Sequence, residues 1–258
     1  MTVHPSAIVD PGARLGEGVR IGPFCLVGPE VVLGDGVELR SHVVVAGDTE
    51  IGAGTTVFPH AVLGEIPQDL KYAGERTRLR IGPRNRIREN VTMNLGTAGG
   101  GGETRVGEGC LFMAGCHVAH DAQVGDRVIV ANCAAIAGHC LIGDDVVIGG
   151  LAGIHQWVRI GRGAMIGALA MVTHDVIPHG LVQGPRGELD GLNLVGLKRR
   201  GVPREEITAL RHAYQALRDG EGAFQDRARA LASADSAMVR EWADFVLSSS
   251  DRQFLTPR

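Results

Sequence analysis

Residues 116–142 read CHVAHDAQVGDRVIVANCAAIAGHCLI, and within them Val118, Val124, Val130, Ile136 and Ile142 fall at every sixth place. The same phase takes in Val106 and Phe112 before this stretch and Ile148, Ile154, Ile160, Ile166 and Val172 after it. An earlier run, one residue out of phase, carries Val3, Val9, Leu15, Ile21, Val27, Leu33, Leu39, Val45, Ile51, Val57 and Leu63, and Ile81, Ile87 and Met93 rejoin it after an interruption. Four residues beyond an anchor stands a small side chain, such as Ala7, Cys25, Cys110, Cys116, Ala122, Ala134, Cys140, Ala152 and Ala164. A hexapeptide period of this kind predicts a parallel β-helix. Side chains alternate across a strand, so the anchor and the small residue two before the next anchor face inward together. Three hexads close one triangular coil, residues about 18 apart stack at ~4.8 Å, and the anchors build roughly nine coils, or about 40 Å of prism.

The periodicity runs to about residue 178 in a chain of 258 residues, which predicts one elongated domain over 1–190 and an appendage over 191–258. Two interruptions, 64–80 (GEIPQDLKYAGERTRLR) and 96–105, are expected to leave the prism as excursion loops. Solenoid insertions gather on the binding face. The run Gly99 to Gly102 lacks the Lys-Ser or Lys-Thr of a phosphate loop and reads as a flexible loop. From Pro178 the hexads are expected to cease. After Gly201 the spacing turns helical: Pro203 can open a helix carrying Ile207, Leu210, Tyr214 and Leu217 before Gly220 stops it. Further helices are predicted around Phe224 to Leu231 and through Val239, Trp242, Phe245 and Val246, as a cap over the last coil.

Composition narrows the function classes. No run of 18 apolar residues occurs, and Met1 to Asp10 is already in repeat phase, so neither a membrane span nor a signal peptide is expected and the protein is expected to be soluble and cytoplasmic. A net charge of −3 offers nucleic acid no general attraction. Four of the five cysteines sit at the small inward position and read as buried space-fillers; Cys133 is off that phase.

Among ten histidines, one set stands out: His117, His120, Asp121, Gly138, His139, His155 and Gln156. The coil period places His120, Gly138 and Gln156 on one corner in consecutive coils, with His117, His139 and His155 beside it. Three chemistries compete for this edge. The histidines can ligate a metal, as in a carbonic-anhydrase-like protein, although no full tetrahedral set is evident; they can be surface residues gathered by chance; or His120 can act as a general base oriented by Asp121, with the Gly138 amide holding an oxyanion. His174 and Asp175 repeat the dipeptide three coils later, so the dipeptide alone does not identify a site.

The segments GPFCLVGP (22–29), SHVVV (41–45), QDLKYAGE (68–75), RNRIRENVT (84–92), HVAHD (117–121), IAGH (136–139), IHQ (154–156) and GLKRRG (196–201) resemble the acyl-carrier-protein-dependent UDP-N-acetylglucosamine acyltransferases, which carry out the first step of lipid A biosynthesis. The resemblance spans the whole chain. It implies a left-handed coil, a C-terminal α-helical domain and a homotrimer with active sites between neighbouring prisms. It further implies transfer of a 3-hydroxyacyl group from the phosphopantetheine thioester of acyl carrier protein to the sugar 3-hydroxyl, with no metal and no other cofactor. Carried over residue by residue, it implies His120 as base, Asp121 as its orienter and Gly138 as oxyanion donor. Asp69 and Lys71 would contact the sugar and the reacting region, His117, His139, His155 and Gln156 would line the site, and Asn193, Arg199 and Arg200 would bind the nucleotide. Ala168 would end the acyl groove. Two departures stand out: Val195 replaces a usual glutamate, and Asn94-Leu95-Gly96-Thr97 replaces His-Arg-Gly-Thr, which raises N-acylation of a 3-amino sugar as an alternative. A related N-acyltransferase carries an extra N-terminal domain, which hexads starting at Val3 lead us not to expect here.

Overall fold

A computed structural model describes residues 1–248 and 252–257. Short strands, most of them two residues long, form three sheets of 11, 9 and 8 strands among the described residues, parallel but for the last strand of the first, that make the faces of a triangular prism. The first face opens with Thr2–Val3, the second with Ile8–Val9 and the third with Arg14–Leu15. In the strand His117–Val118 the histidine is half-buried and the valine buried, the alternation expected of one side chain in and one out. His117 pairs with Ala135 and Ala135 with Gly153, so successive coils advance by the hexad count. From Val19 onward the anchors and the small residues fill one continuous core, while the first coil is only partly covered and Val3 is exposed. Burial pushes the thiols of Cys110 and Cys116 up to about 11 and that of Cys140 up to about 12, so these cysteines act as inert fillers.

Two coils are longer. One runs from Val62 to its partner Thr92 and keeps the phase of six; the next runs from Thr92 to His117 and shifts it by one. That shift is why the two apolar runs of the sequence are out of register. Both excursions are shorter than predicted. Strand Val62–Glu65 reaches into the first and strand Arg78–Ile81 begins inside it, while Glu103–Val106 claims the end of the second. Their extra residues pair with each other, Arg78–Ile81 lying along Glu103–Val106 and Asp48–Ile51.

The coil also outlasts Pro178. Val176 bridges Ile160, and Gly180–Gln183 adds a further parallel strand beside Met165–Ile166. This strand turns back antiparallel as Glu188–Leu192, so a boundary at 190 cuts a hairpin. Helix α1 (Leu194–Arg199) follows, then α2 (Arg204–Asp219), α3 (Phe224–Ala230) and α4 (Ala237–Leu247). The hairpin and α1 were not anticipated, because a strand ladder off the six-residue phase and a six-residue helix carry little periodic signal. Pro203 caps α2, and Ile207, Leu210, Tyr214 and Leu217 are buried; each such apolar side chain contributes roughly 1.5–3 kcal/mol. The chain returns to the prism where Asp175 bridges Phe254, with Leu255 N–H donating to the Asp175 carbonyl at 2.9 Å.

Candidate active site

Both excursions leave the prism between the second and third faces. The first connects Val62–Glu65 to Arg78–Ile81 and the second Thr92–Asn94 to Glu103–Val106, each passing from second face to third. The turn carrying His120 and Asp121, between His117–Val118 and Gln123–Val124, lies on that same edge. The loops therefore roof it, and His120 is only 5% exposed on the corner where the sequence placed it.

Asp121 anchors the constellation. Its backbone is in the left-handed region at φ 59°, which turns the side chain along the edge. Its carboxylate accepts from the Thr97 N–H (2.8 Å) and Thr97 hydroxyl (2.6 Å), and its own N–H donates to Thr104 Oγ1 (2.8 Å). With an acceptor-only carboxylate opposite, His120 Nδ1 is the donor in the 2.9 Å contact with Asp121 Oδ2. That tautomer leaves Nε2 unprotonated, the form a general base requires. Gly100 explains the glycine run. A Cβ there would lie 2.1 Å from Asp121 Cγ, and Gly101 and Gly102 take φ of 99° and 79°. The 3-10 turn Ala98–Gly100 opens the run and packs Gly100 on the carboxylate, where a flexible loop was expected.

Gly138 stacks one coil above His120. A Cβ at 138 would sit 2.6 Å from His120 Cε1 and 2.7 Å from Nε2, so the imidazole lies over this glycine. Among the described residues its N–H donates to no protein acceptor, while its carbonyl receives the Trp157 N–H at 3.1 Å. His139 meets His120 edge-on at 4.9 Å and lies flat against Trp157 at 3.8 Å with the planes 5° apart. Burial holds the His139 imidazole below its usual range, against the opposing pull of Asp121 and, more weakly, of Asp69. His117 is lowered too, first by burial and then by His120, and shares a 2.8 Å hydrogen bond with Thr92 Oγ1. Both rings are thus kept neutral to lower pH than free imidazole.

His155 and Gln156 are exposed on the next coil, His155 Nδ1 donating to the Gln156 carbonyl. Asp69 and Lys71 lie on the first excursion, where Asp69 Oδ1 accepts the Lys71 N–H at 3.0 Å. Thr97, Thr104, Gly100 and Trp157 were missed from sequence. Trp157 stands in register with His139 and Asp121, and Thr104 lies on the strand one coil below, signals that were available; Thr97 becomes a neighbour of Asp121 only when the loop folds back.

Other predicted residues lie elsewhere on the prism. Asn193 caps α1, its Oδ1 accepting from Gly196 N–H and its Nδ2 donating to the Gly163 carbonyl. Arg200 contacts His179. Gly163 and His179 are on the edge between third and first faces, and Ala168 is on the edge between first and second. One chain therefore carries the catalytic, nucleotide and acyl candidates on three different edges.

His174 and Asp175 resolve differently from their twin. Asp175 accepts from Arg159 N–H (2.9 Å) and Nε (2.6 Å), and the Arg159 guanidinium lies 4.8 Å from the Phe245 ring and 5.4 Å from Phe254. This pair fastens the tail to the last coils. Among the described residues, His120, Asp121 and His139 place three possible metal-ligating atoms within 4.8 Å. His120 Nδ1 is already donating to Asp121 and both Asp121 oxygens accept from Thr97, so the His120–Asp121 pair is arranged for proton transfer.

Sequence and structure comparisons agree on the relationship. A family profile described as Udp N-acetylglucosamine O-acyltransferase, Domain 2, matches residues 175–255, and bacterial transferase hexapeptide repeats match 12–47, 103–138 and 139–174. An acyl-[acyl-carrier-protein]--UDP-N-acetylglucosamine O-acyltransferase of Caulobacter vibrioides is 53% identical over 100% of this chain and 98% of its own. Its counterpart in Paracoccus denitrificans is 68% identical over 78% of this chain and 77% of its own. The chain belongs to the acyl-carrier-protein–UDP-N-acetylglucosamine O-acyltransferase family. A crystal structure of a UDP-N-acetylglucosamine acyltransferase superposes with a TM-score of 0.96 at 40% identity, covering 100% of both chains. The Campylobacter jejuni enzyme gives 0.94 at 37% identity, covering 100% of both. The coil is the left-handed β-helix of this acyltransferase family with C-terminal helices. Among the described residues, no helix is long and apolar enough to cross a membrane.

Proposed function

We propose that this acyltransferase moves a 3-hydroxyacyl chain from acyl carrier protein to the 3-hydroxyl of UDP-N-acetylglucosamine, the first step of lipid A biosynthesis, in the cytoplasm. The observation that carries the chemistry is the Thr97–Asp121–His120 relay, which presents an unprotonated Nε2 under a roof of two loops. Nε2 takes the sugar hydroxyl proton as the oxygen attacks the thioester carbonyl. The Gly138 N–H stabilises the resulting oxyanion, and collapse expels the phosphopantetheine thiolate, which receives the proton back from His120. Asp69 and Lys71 on the first loop contact the sugar, and His117, His139, His155 and Gln156 line the approach. The donor's own phosphopantetheine supplies the only prosthetic chemistry needed.

Assembly follows from the three edges. Asn193, Arg199 and Arg200 bind the nucleotide and Ala168 ends the acyl groove, yet none shares the edge of His120. A contact joining unlike edges is heterologous and forms a ring where its rotation closes; the assembly proposed is a homotrimer, with each site shared between two neighbours.

His120→Ala tests the reading. The thioester-to-sugar transfer is expected to fall about a hundredfold to ten-thousandfold. Full activity in that variant removes His120 from the mechanism. Asn94, the departure that raises the 3-amino alternative, is buried with its Nδ2 donating to the Ile66 carbonyl at 3.1 Å. A side-by-side assay with the 3-amino sugar decides between oxygen and nitrogen as acceptor, and stoichiometric metal in active protein would instead favour a carbonic-anhydrase-like hydratase.

A further inference from the structure

We propose that His179 is a positioning residue that aims the Arg200 guanidinium at the nucleotide diphosphate, an inference that rests on the nucleotide role of Asn193, Arg199 and Arg200 given above. His179 is 2% exposed and packs at the edge where Gly163, Asn193 and Arg200 meet. Arg200 Nη2 lies 3.3 Å from His179 Nδ1. Guanidinium has donors only, so Nδ1 accepts and the ring carries its proton on Nε2. That Nε2 is buried without a partner among the described residues, an arrangement that costs free energy and persists only where something else fixes the ring.

Two contacts hold the His179 backbone and a third holds the neighbouring Asn193. The His179 N–H donates to the Arg162 carbonyl at 2.8 Å, its carbonyl accepts the Asn193 N–H at 2.7 Å, and Asn193 Nδ2 reaches the Gly163 carbonyl at 2.9 Å. Gly163 takes φ 66°, and a Cβ there would lie 2.4 Å from His179 Nδ1 and 2.7 Å from Arg200 Nη2. The glycine therefore leaves the space in which the ring and the guanidinium meet. The charges facing the pair are Arg200, Arg162 and Asp145; Asp145 is engaged by Arg127 and Arg162 by Glu241. Arg200 consequently has a neutral acceptor behind it and no carboxylate neutralising it in direct contact among the described residues, and its remaining donors are free for an anion. One small network thus joins two nucleotide candidates, Asn193 through the His179 backbone and Arg200 through its ring.

The experiment is equilibrium binding of UDP-N-acetylglucosamine and of UDP to the full-length protein, with steady-state rates, for Arg200→Ala, His179→Phe, His179→Asn and the double variant Arg200→Ala/His179→Phe. Arg200→Ala and His179→Phe are each expected to weaken binding about tenfold and raise KM with kcat changed less than about twofold. His179→Asn, which keeps an acceptor near the Nδ1 position, is expected to restore affinity. In the Arg200→Ala background, His179→Phe is expected to add nothing, which a merely structural role would not reproduce. Unchanged binding in His179→Phe beside weakened Arg200→Ala overturns the positioning role and leaves the nucleotide reading intact. Unchanged binding in Arg200→Ala overturns both. Should His179→Phe fail to fold, nitrogen-15 spectra of the unaltered protein still decide: an Nδ1 without a proton supports the proposal and a protonated Nδ1 overturns it.

Discussion

Replacing Gly138 by alanine separates the placement of the imidazole from every other contribution of this turn. The added Cβ would stand 2.6 Å from His120 Cε1 and 2.7 Å from Nε2, where carbon atoms ordinarily rest at about 3.5–4.0 Å. The ring must withdraw by roughly 1 Å. It has little room, since Nδ1 is tied to Asp121 at 2.9 Å and one edge meets His139 at 4.9 Å between ring centres. Position 138 is outside the left-handed region, so alanine adds no backbone strain, and it keeps the N–H offered to the oxyanion. Misplacing a reacting group by about 1 Å costs on the order of a hundredfold. For Gly138→Ala we therefore expect kcat/KM for transfer from carrier-protein thioester to UDP-N-acetylglucosamine to fall about a hundredfold. Overpacking of this kind destabilises by about 1–3 kcal/mol, which a thermal melt registers without loss of the fold. In a His120→Ala background the same substitution is expected to add little further loss. A Gly138→Ala enzyme with wild-type kcat/KM would falsify the stacked geometry on which the mechanism depends.

Ala168→Gly is expected to shift preference toward acyl chains about one or two methylenes longer, each methylene being worth roughly 1–3 kcal/mol in a fitted pocket, read by competition among graded carrier-protein thioesters; an unmoved preference removes Ala168 from the groove. Asp175→Ala breaks a buried pair with Arg159 and is expected to cost about 3–5 kcal/mol of stability, whereas His174→Ala, beside it, leaves melting and activity near wild type; comparable activity losses in His120→Ala and His174→Ala mean the wrong copy was chosen. Burial, then Arg200 and Arg162, lowers His179 to about 3, while its unfolded value is near 6.5. Below pH about 6.5 the unfolded chain therefore binds a proton that the fold refuses, and stability drops by up to about 1.4 kcal/mol per pH unit until pH about 3. His179→Asn is expected to flatten that slope in denaturant titrations, and an unchanged slope shows that other groups set it.

The six-residue spacing of branched aliphatics determined the parallel β-helix, because strand alternation and a repeated turn leave a hexad pattern no other way to bury its anchors. It also determined that His120, Gly138 and Gln156 share a corner, since that follows from counting around the coil. The helices after Gly201 were legible for the same reason, at a different period. Counting did not distinguish His120-Asp121 from His174-Asp175, two identical dipeptides 54 residues apart. Tertiary structure separates them: the excursion returns Thr97 to Asp121, 24 positions on in the chain, while Asp175 receives Arg159 and the returning C-terminal segment. Nor did counting place Trp157 flat on His139 or forbid a side chain at Gly100, because these depend on side-chain directions and loop packing that repeat spacing does not encode. The spread of candidates over three edges is likewise a property of the folded prism, since the coil separates in space what the motifs presented as one list of residues.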